Sequence, residues 1–140
     1  MPNKALRIMI ADPEHYHRMQ LERLFNHQGY FRIAPVSDEH EFLTLVDYGC
    51  ELFDLILINA NLANDTLDLP GFFVDNPQVR HVLIYNAQPG MPATPRPFLQ
   101  VSSTRLPDAV LVQRLMKSID PAANESVPSW ARTVGQRHGT

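Results

Sequence analysis

Cysteine is nearly absent: Cys50 stands alone in 140 residues. It can form no intrachain disulfide, and no cysteine-based zinc site is expected. Lysine is almost as scarce, with only Lys4 and Lys117. The six glycines are dispersed, so no strand is followed by a glycine-rich phosphate loop. Neither a Cys-X-X-Cys pair nor a Gly-X-Ser-X-Gly elbow occurs. No apolar run is long enough to span a bilayer. The N-terminus lacks the long apolar region and cleavage site of a signal peptide. These absences predict a cytoplasmic protein of a reducing compartment with no membrane attachment. The formal net charge of -3 gives no general attraction to nucleic acid or to anionic lipid.

What is present suits one α/β domain. The longest buried-looking stretch is 53–59, whose middle, Leu55-Ile56-Leu57-Ile58, is unbroken apolar sequence. A short run of this kind bounded by polar residues fits a strand covered on both faces, as in the centre of a parallel sheet. Four more strands are expected, at 6–11, 31–36, 79–85 and 98–101. Pro35 marks the second of them as an edge.

Helices are expected between the strands. Asp12 is a candidate cap, Pro13 suits a first helical position, and Glu14 suits a helix N-terminus. His17, Leu21, Leu24 and Phe25 then share one face, and Gly29 is a natural stop. Ser37 or Asp38 caps a second helix, with Asp38 and Glu41 spaced as a capping box. Phe42, Leu45 and Val46 form its stripe, and Gly49 ends it. At most a short helix fits near 71–75. Pro107 and Asp108 open a last helix, with Leu111, Leu115 and Ile119 on one side and Pro121 as its stop.

Two segments resist this pattern. Residues 88–97 carry four prolines, a density no ordinary helix tolerates. Residues 121–140 are small and polar, with Trp130 the one large apolar side chain. They read as a mobile tail following a domain over 1–120, the alternative being a docking peptide anchored by Trp130. Right-handed crossovers then give a doubly wound, five-stranded parallel sheet with helices on both faces.

Arg7-Ile8-Met9-Ile10-Ala11-Asp12 and Phe53-Asp54-Leu55-Ile56-Leu57-Ile58-Asn59, in this order of elements, resemble the first and third strands of a response-regulator receiver (CheY-like) domain. The resemblance runs over residues 4–119. It implies a flavodoxin-like fold and a role in two-component signal transduction. Five groups carry the family's chemistry: two adjacent acids that hold Mg²⁺, a phosphoaccepting aspartate, a Thr or Ser, and a lysine.

Placed on that pattern, Asp12 matches the first acid and Pro13 stands at the second. Asn59 stands at the phosphoacceptor, Asn86 at the Thr/Ser, and Ser102 or Ser103 at the lysine. Arg105 is the nearest base, and a guanidinium does not replace an ammonium. An amide oxygen is a poor nucleophile where a carboxylate attacks phosphorus. Mg²⁺ prefers several hard oxygen ligands, and Asp12 with Glu14 makes at best a weak site. Together these departures imply that aspartyl phosphorylation is lost. The Pro-rich 88–97 segment replaces the family's helix between the fourth and fifth strands.

Asn59 and Asn86 are expected to hydrogen-bond each other as a relic of the receiver pocket, because buried amides need partners. Asn61, Asn64 and Asp65 read as turn formers. His15 and His17 lie two apart on a helix and point different ways, so no shared metal is expected. No cofactor is expected. The function expected is that of an atypical receiver working by phosphorylation-independent protein contact, with a signalling regulator or kinase as partner. Its candidate surface is Arg105, Leu106, Val110 and Trp130, with a homodimer as an alternative to a different partner. The alternative is a small-ligand or nucleotide sensor using the pocket at the strand ends. An enzyme ranks last, since no acid–base constellation assembles.

Overall fold

The computed structural model describes residues 2–49, 52–63, 68–76, 79–88 and 98–124. Five strands form one parallel sheet: β1 (Ile8–Ala11), β2 (Ile33–Val36), β3 (Leu55–Asn59), β4 (Val82–Tyr85) and β5 (Leu99–Val101). Their order is β2-β1-β3-β4-β5, the doubly wound arrangement whose switch point lies between β1 and β3. Ile10 stands opposite both Pro35 and Leu57, and Asn59 opposite Tyr85. β2 is an edge strand, where Pro35 costs no ladder bond on its open side.

The alternation of side chains along each strand splits the core in two. Ile8, Ile10, Leu55, Leu57, Leu83 and Tyr85 face Leu21 and Phe25 of α1 (His15–His27) and Val112, Leu115 and Met116 of α4 (Ala109–Ile119). Met9, Ala11, Ile56, Ile58, Val82 and Ile84 face Phe42 and Val46 of α2 (Glu39–Tyr48) and Leu69 and Phe73 of α3 (Leu69–Val74). β3 is buried along its whole length, as its continuous apolar run requires of a central strand.

The cap signals are realised with one shift, and the short helix expected near 71–75 runs from Leu69 to Val74. Asp38 caps α2 by accepting from Glu41 N at 2.7 Å, and Glu41 Oε1 accepts from Ser37 N at 2.9 Å. Asp108 caps α4 by accepting from Leu111 N. Gly29, with φ +95°, follows α1 in the left-handed region open to glycine. α1, however, begins at His15 with Glu14 at its cap position, two residues later than Asp12 and Pro13 predict. Asp12 spends its carboxylate on the strand-end cluster described below.

A 3-10 turn (Ala60–Ala63) follows β3, and another (Pro121–Asn124) follows α4. Among the described residues no helix lies between β4 and β5. Residues 89–97 of the Pro-rich segment lie outside the described residues, as do Cys50, Asn64, Asp65 and Trp130. No helix among the described residues is long and apolar enough to cross a membrane.

Candidate functional site

The carboxyl ends of β1, β3 and β4 converge on one buried carboxylate. Asp12, directly after β1, is 0 % exposed. Its Oδ1 accepts from Glu14 N at 2.8 Å, an Asx-type turn that carries the chain past Pro13 into α1. Its Oδ2 faces three groups. Asn59 Nδ2 at the end of β3 donates at 3.1 Å. The Tyr85 hydroxyl at the end of β4 donates at 2.6 Å. His17 Nδ1, from the first turns of α1, lies at 3.1 Å and carries the proton when it faces a carboxylate. A buried charge is tolerated only when compensated in this way.

The network continues outward from Asn59. Its Oδ1 accepts from Asn61 N at 2.8 Å and from Asn86 Nδ2 at 3.2 Å. Asn86 has φ +58°, a conformation asparagine enters more readily than most residues. At this turn its backbone N–H donates to Thr104 O at 2.7 Å, and Ala87 N donates to Ser102 O at 3.0 Å. The ends of β3 and β4 and the segment after β5 are thus strapped together. Ser102 joins through its backbone; its hydroxyl accepts from Thr104 N at 3.1 Å. Arg18 Nη1 donates to the Asp12 carbonyl at 2.7 Å and so misses the carboxylate.

The electrostatics follow from this burial. Desolvation pushes the Tyr85 phenol far above its ordinary pKa, and its hydrogen bond to Asp12 and the Asp12 charge push the same way, with Arg18 opposing. The hydroxyl is therefore a permanent donor. The arrangement fits Mg²⁺ poorly. Hard divalent cations need bare oxygen ligands, and both Asp12 oxygens here face N–H or O–H donors. The Glu14 carboxylate, as distinct from its backbone N–H, meets the site through His17, whose Nε2 is 3.5 Å from Glu14 Oε2. Among the described residues no group of three or more His, Cys, Asp and Glu side chains could hold a metal ion.

Of the residues singled out from sequence, the fold gathers Asp12, Asn59 and Asn86 into one chain of hydrogen bonds. Pro13 is exposed at its rim and Glu14 touches it through His17. Arg105 and Val110 are exposed, whereas Leu106 is partly buried against the α1/α4 core. Two members were missed. Tyr85 read only as strand core and His17 only as a helix-face residue. A tyrosine ending a buried strand carries a usable signal, since its hydroxyl needs a partner.

A cleft of about 360 Å³ adjoins the site, lined by Pro13, Ser37, Asp38, Glu39, His40, Asn61 and Leu62. Its acidic rim and the inward-turned polar groups beside it are poorly suited to a nucleotide's phosphates.

A doubly wound parallel sheet in this strand order is a flavodoxin-like, receiver-like α/β fold. Solved structures similar to it include CheY-like receiver domains. A response regulator receiver domain from Methanospirillum hungatei JF-1 matches with TM-score 0.59 and 13% identity, over 86% of this chain and 98% of that one. A receiver domain from Bacillus halodurans matches with TM-score 0.55 and 15% identity, over 89% and 98%. The complex of the phosphorylated P1 domain of CheA3 with CheY6 from R. sphaeroides contains a match with TM-score 0.54 and 15% identity, over 81% and 94%. At these identities the likeness is one of fold. No family model and no curated protein matches the sequence.

Proposed function

We propose that this chain is a pseudo-receiver: a module of receiver fold that regulates signalling by protein contact and accepts no phosphoryl group. One observation carries the reading. Asn59 ends β3, and both ends of its amide are engaged, Nδ2 on Asp12 and Oδ1 under Asn61 N and Asn86 Nδ2. A nucleophile needs a free, electron-rich oxygen. This oxygen belongs to a neutral amide and already accepts two hydrogen bonds. The residues around it also supply no lysine, and the acid pair is interrupted by Pro13.

The proposed partner is a signalling protein, either a regulator or a kinase. The CheA3–CheY6 complex supports the general mode, a protein of this fold engaged by another protein. On this reading the exposed positions Arg105 and Val110 belong to the contact surface, together with the tail that carries Trp130, and a second copy of the chain is an alternative occupant. Nucleic acid and membrane are not proposed as partners, no cofactor is required, and the proposed location is the cytoplasm.

The test is incubation of the full chain with acetyl phosphate and Mg²⁺, read by intact mass. No added phosphate is expected. A phosphate adduct released by hydroxylamine, the signature of an acyl phosphate, would overturn the reading.

A further inference from the structure

The strand-end carboxylate is closed off from solvent by an imidazole. Of the three groups on Asp12 Oδ2, Tyr85 is 0 % exposed and Asn59 is 3 % exposed. Both come from the sheet and are fixed by their strands. His17 comes from α1 and its side chain is 18% exposed. It is the solvent-side member of the set. A cation approaching Oδ2 from the α1 side would meet this ring first.

The ring also spans the two acids. Nδ1 lies 3.1 Å from Asp12 Oδ2 and Nε2 lies 3.5 Å from Glu14 Oε2. A carboxylate only accepts, so the nitrogen that contacts it is the one that presents an N–H. An N–H aimed at the oxygen and a metal ion bound to the same lone pair exclude each other. Arg18 is no substitute, because its guanidinium is turned to the Asp12 carbonyl.

We propose that His17 is a built-in plug that shuts hard divalent cations, Mg²⁺ or Mn²⁺, out of the Asp12–Glu14 corner. The plug does what a bound ion would do for the buried carboxylate, offsetting its charge and fixing its orientation, without exchanging with solvent. The protein is therefore indifferent to divalent cations. The biological sense of this rests on the pseudo-receiver reading, but its test does not. Phosphate incorporation is decided by Asn59, and cation exclusion by His17.

The experiment titrates Mn²⁺ into the ¹⁵N-labelled full chain and follows paramagnetic broadening of its amide signals, beside thermal melts with and without millimolar MgCl₂ at matched ionic strength. For the wild type, no selective broadening of the amides of Ala11, Asp12, Glu14 and Asn59 is expected, and no melting shift. For His17→Ala, the melting temperature should fall in the absence of metal, be partly restored by MgCl₂, and the same amides should broaden with Mn²⁺. Selective broadening in the wild type would overturn the proposal, and so would a folded His17→Ala protein that still ignores both ions. If His17→Ala does not fold, His17→Asn takes its place: its shorter amide cannot span both acids, and the same gain of broadening is expected. Wild-type exclusion is measurable whatever the variants do.

Discussion

At the scale of single residues, one negative charge and its donors decide the site. Asp12 is fully buried, and Asn59 Nδ2 and the Tyr85 hydroxyl are two of the groups that make this tolerable. Tyr85→Phe removes one donor and leaves a buried carboxylate underpaired. A hydrogen bond to a charged group contributes about 1.5–3 kcal/mol, so urea unfolding should show a loss of that order with an unchanged m-value. Asn59→Asp is more severe. It replaces a donor by a second carboxylate about 3 Å from the first, and two such groups cannot both ionise there without a large penalty. A destabilisation of about 3–5 kcal/mol, the cost typical of an uncompensated buried charge, should appear at neutral pH and shrink on acidification as one carboxyl takes a proton. A variant as stable as wild type at neutral pH would contradict the network. Tyr85 also sets an alkaline limit. Its folded pKa lies above the ordinary 10.0, raised by burial and then by Asp12. A raised folded pKa gives stability that is complete below the unfolded value and is lost as pH rises beyond it. Circular dichroism should therefore show unfolding that sets in above about pH 10, with the phenolate absorbance of Tyr85 appearing only as the fold is lost.

At the scale of elements, carboxylates at the helix ends behave differently according to what they meet. Asp38 and Asp108 are exposed caps and were legible from spacing, because their partners are three residues away. Asp12 looks like a cap from spacing alone, yet Glu14 holds that position. Its Asx turn is local, but its other oxygen is claimed by residues 47 and 73 positions on, and no local pattern announces that. Asp120, just after α4, is the second case. It is 1 % exposed, and it accepts from Asn3 N, from the Tyr30 hydroxyl and from Ala122 N. It thus ties the N-terminal segment and the end of α1 to the end of α4. Burial alone would raise its pKa, but these hydrogen bonds outweigh burial and hold the carboxyl below its ordinary 3.8. A depressed folded pKa means stability that is present above the unfolded value and lost as pH falls through the folded one. Asp120→Ala should cost about 2–3 kcal/mol, chiefly by stranding the Tyr30 hydroxyl. It should also flatten the acid side of the stability profile below pH 3.8, because the group that titrates there is gone. A profile parallel to wild type in that range would show that acid sensitivity lies elsewhere.

At the scale of the whole molecule, the sheet was legible because its evidence is periodic and repeated. Apolar runs at 8–11, 55–58 and 82–85, each separated by helical patterning, leave few topologies once crossovers are right-handed. The surface was less legible, since a lone apolar residue reads the same whether it packs inward or faces water. Leu106 and Val110 illustrate this: four residues apart, both belong to the surface predicted to meet a partner. The fold separates them. Leu106 packs against the α1/α4 core, while Val110 is 59% exposed. A charge at Leu106 would damage the fold itself, so loss of association in Leu106→Glu would say nothing about an interface. Val110→Glu is the clean probe. Its exposed position predicts a stability change within about 0.5 kcal/mol, as for surface substitutions generally. If this face of α4 joins two copies, sedimentation of the wild type should show concentration-dependent mass, and Val110→Glu should sediment as a monomer with the wild-type unfolding midpoint. A wild type that stays monomeric at high concentration ends the homodimer alternative.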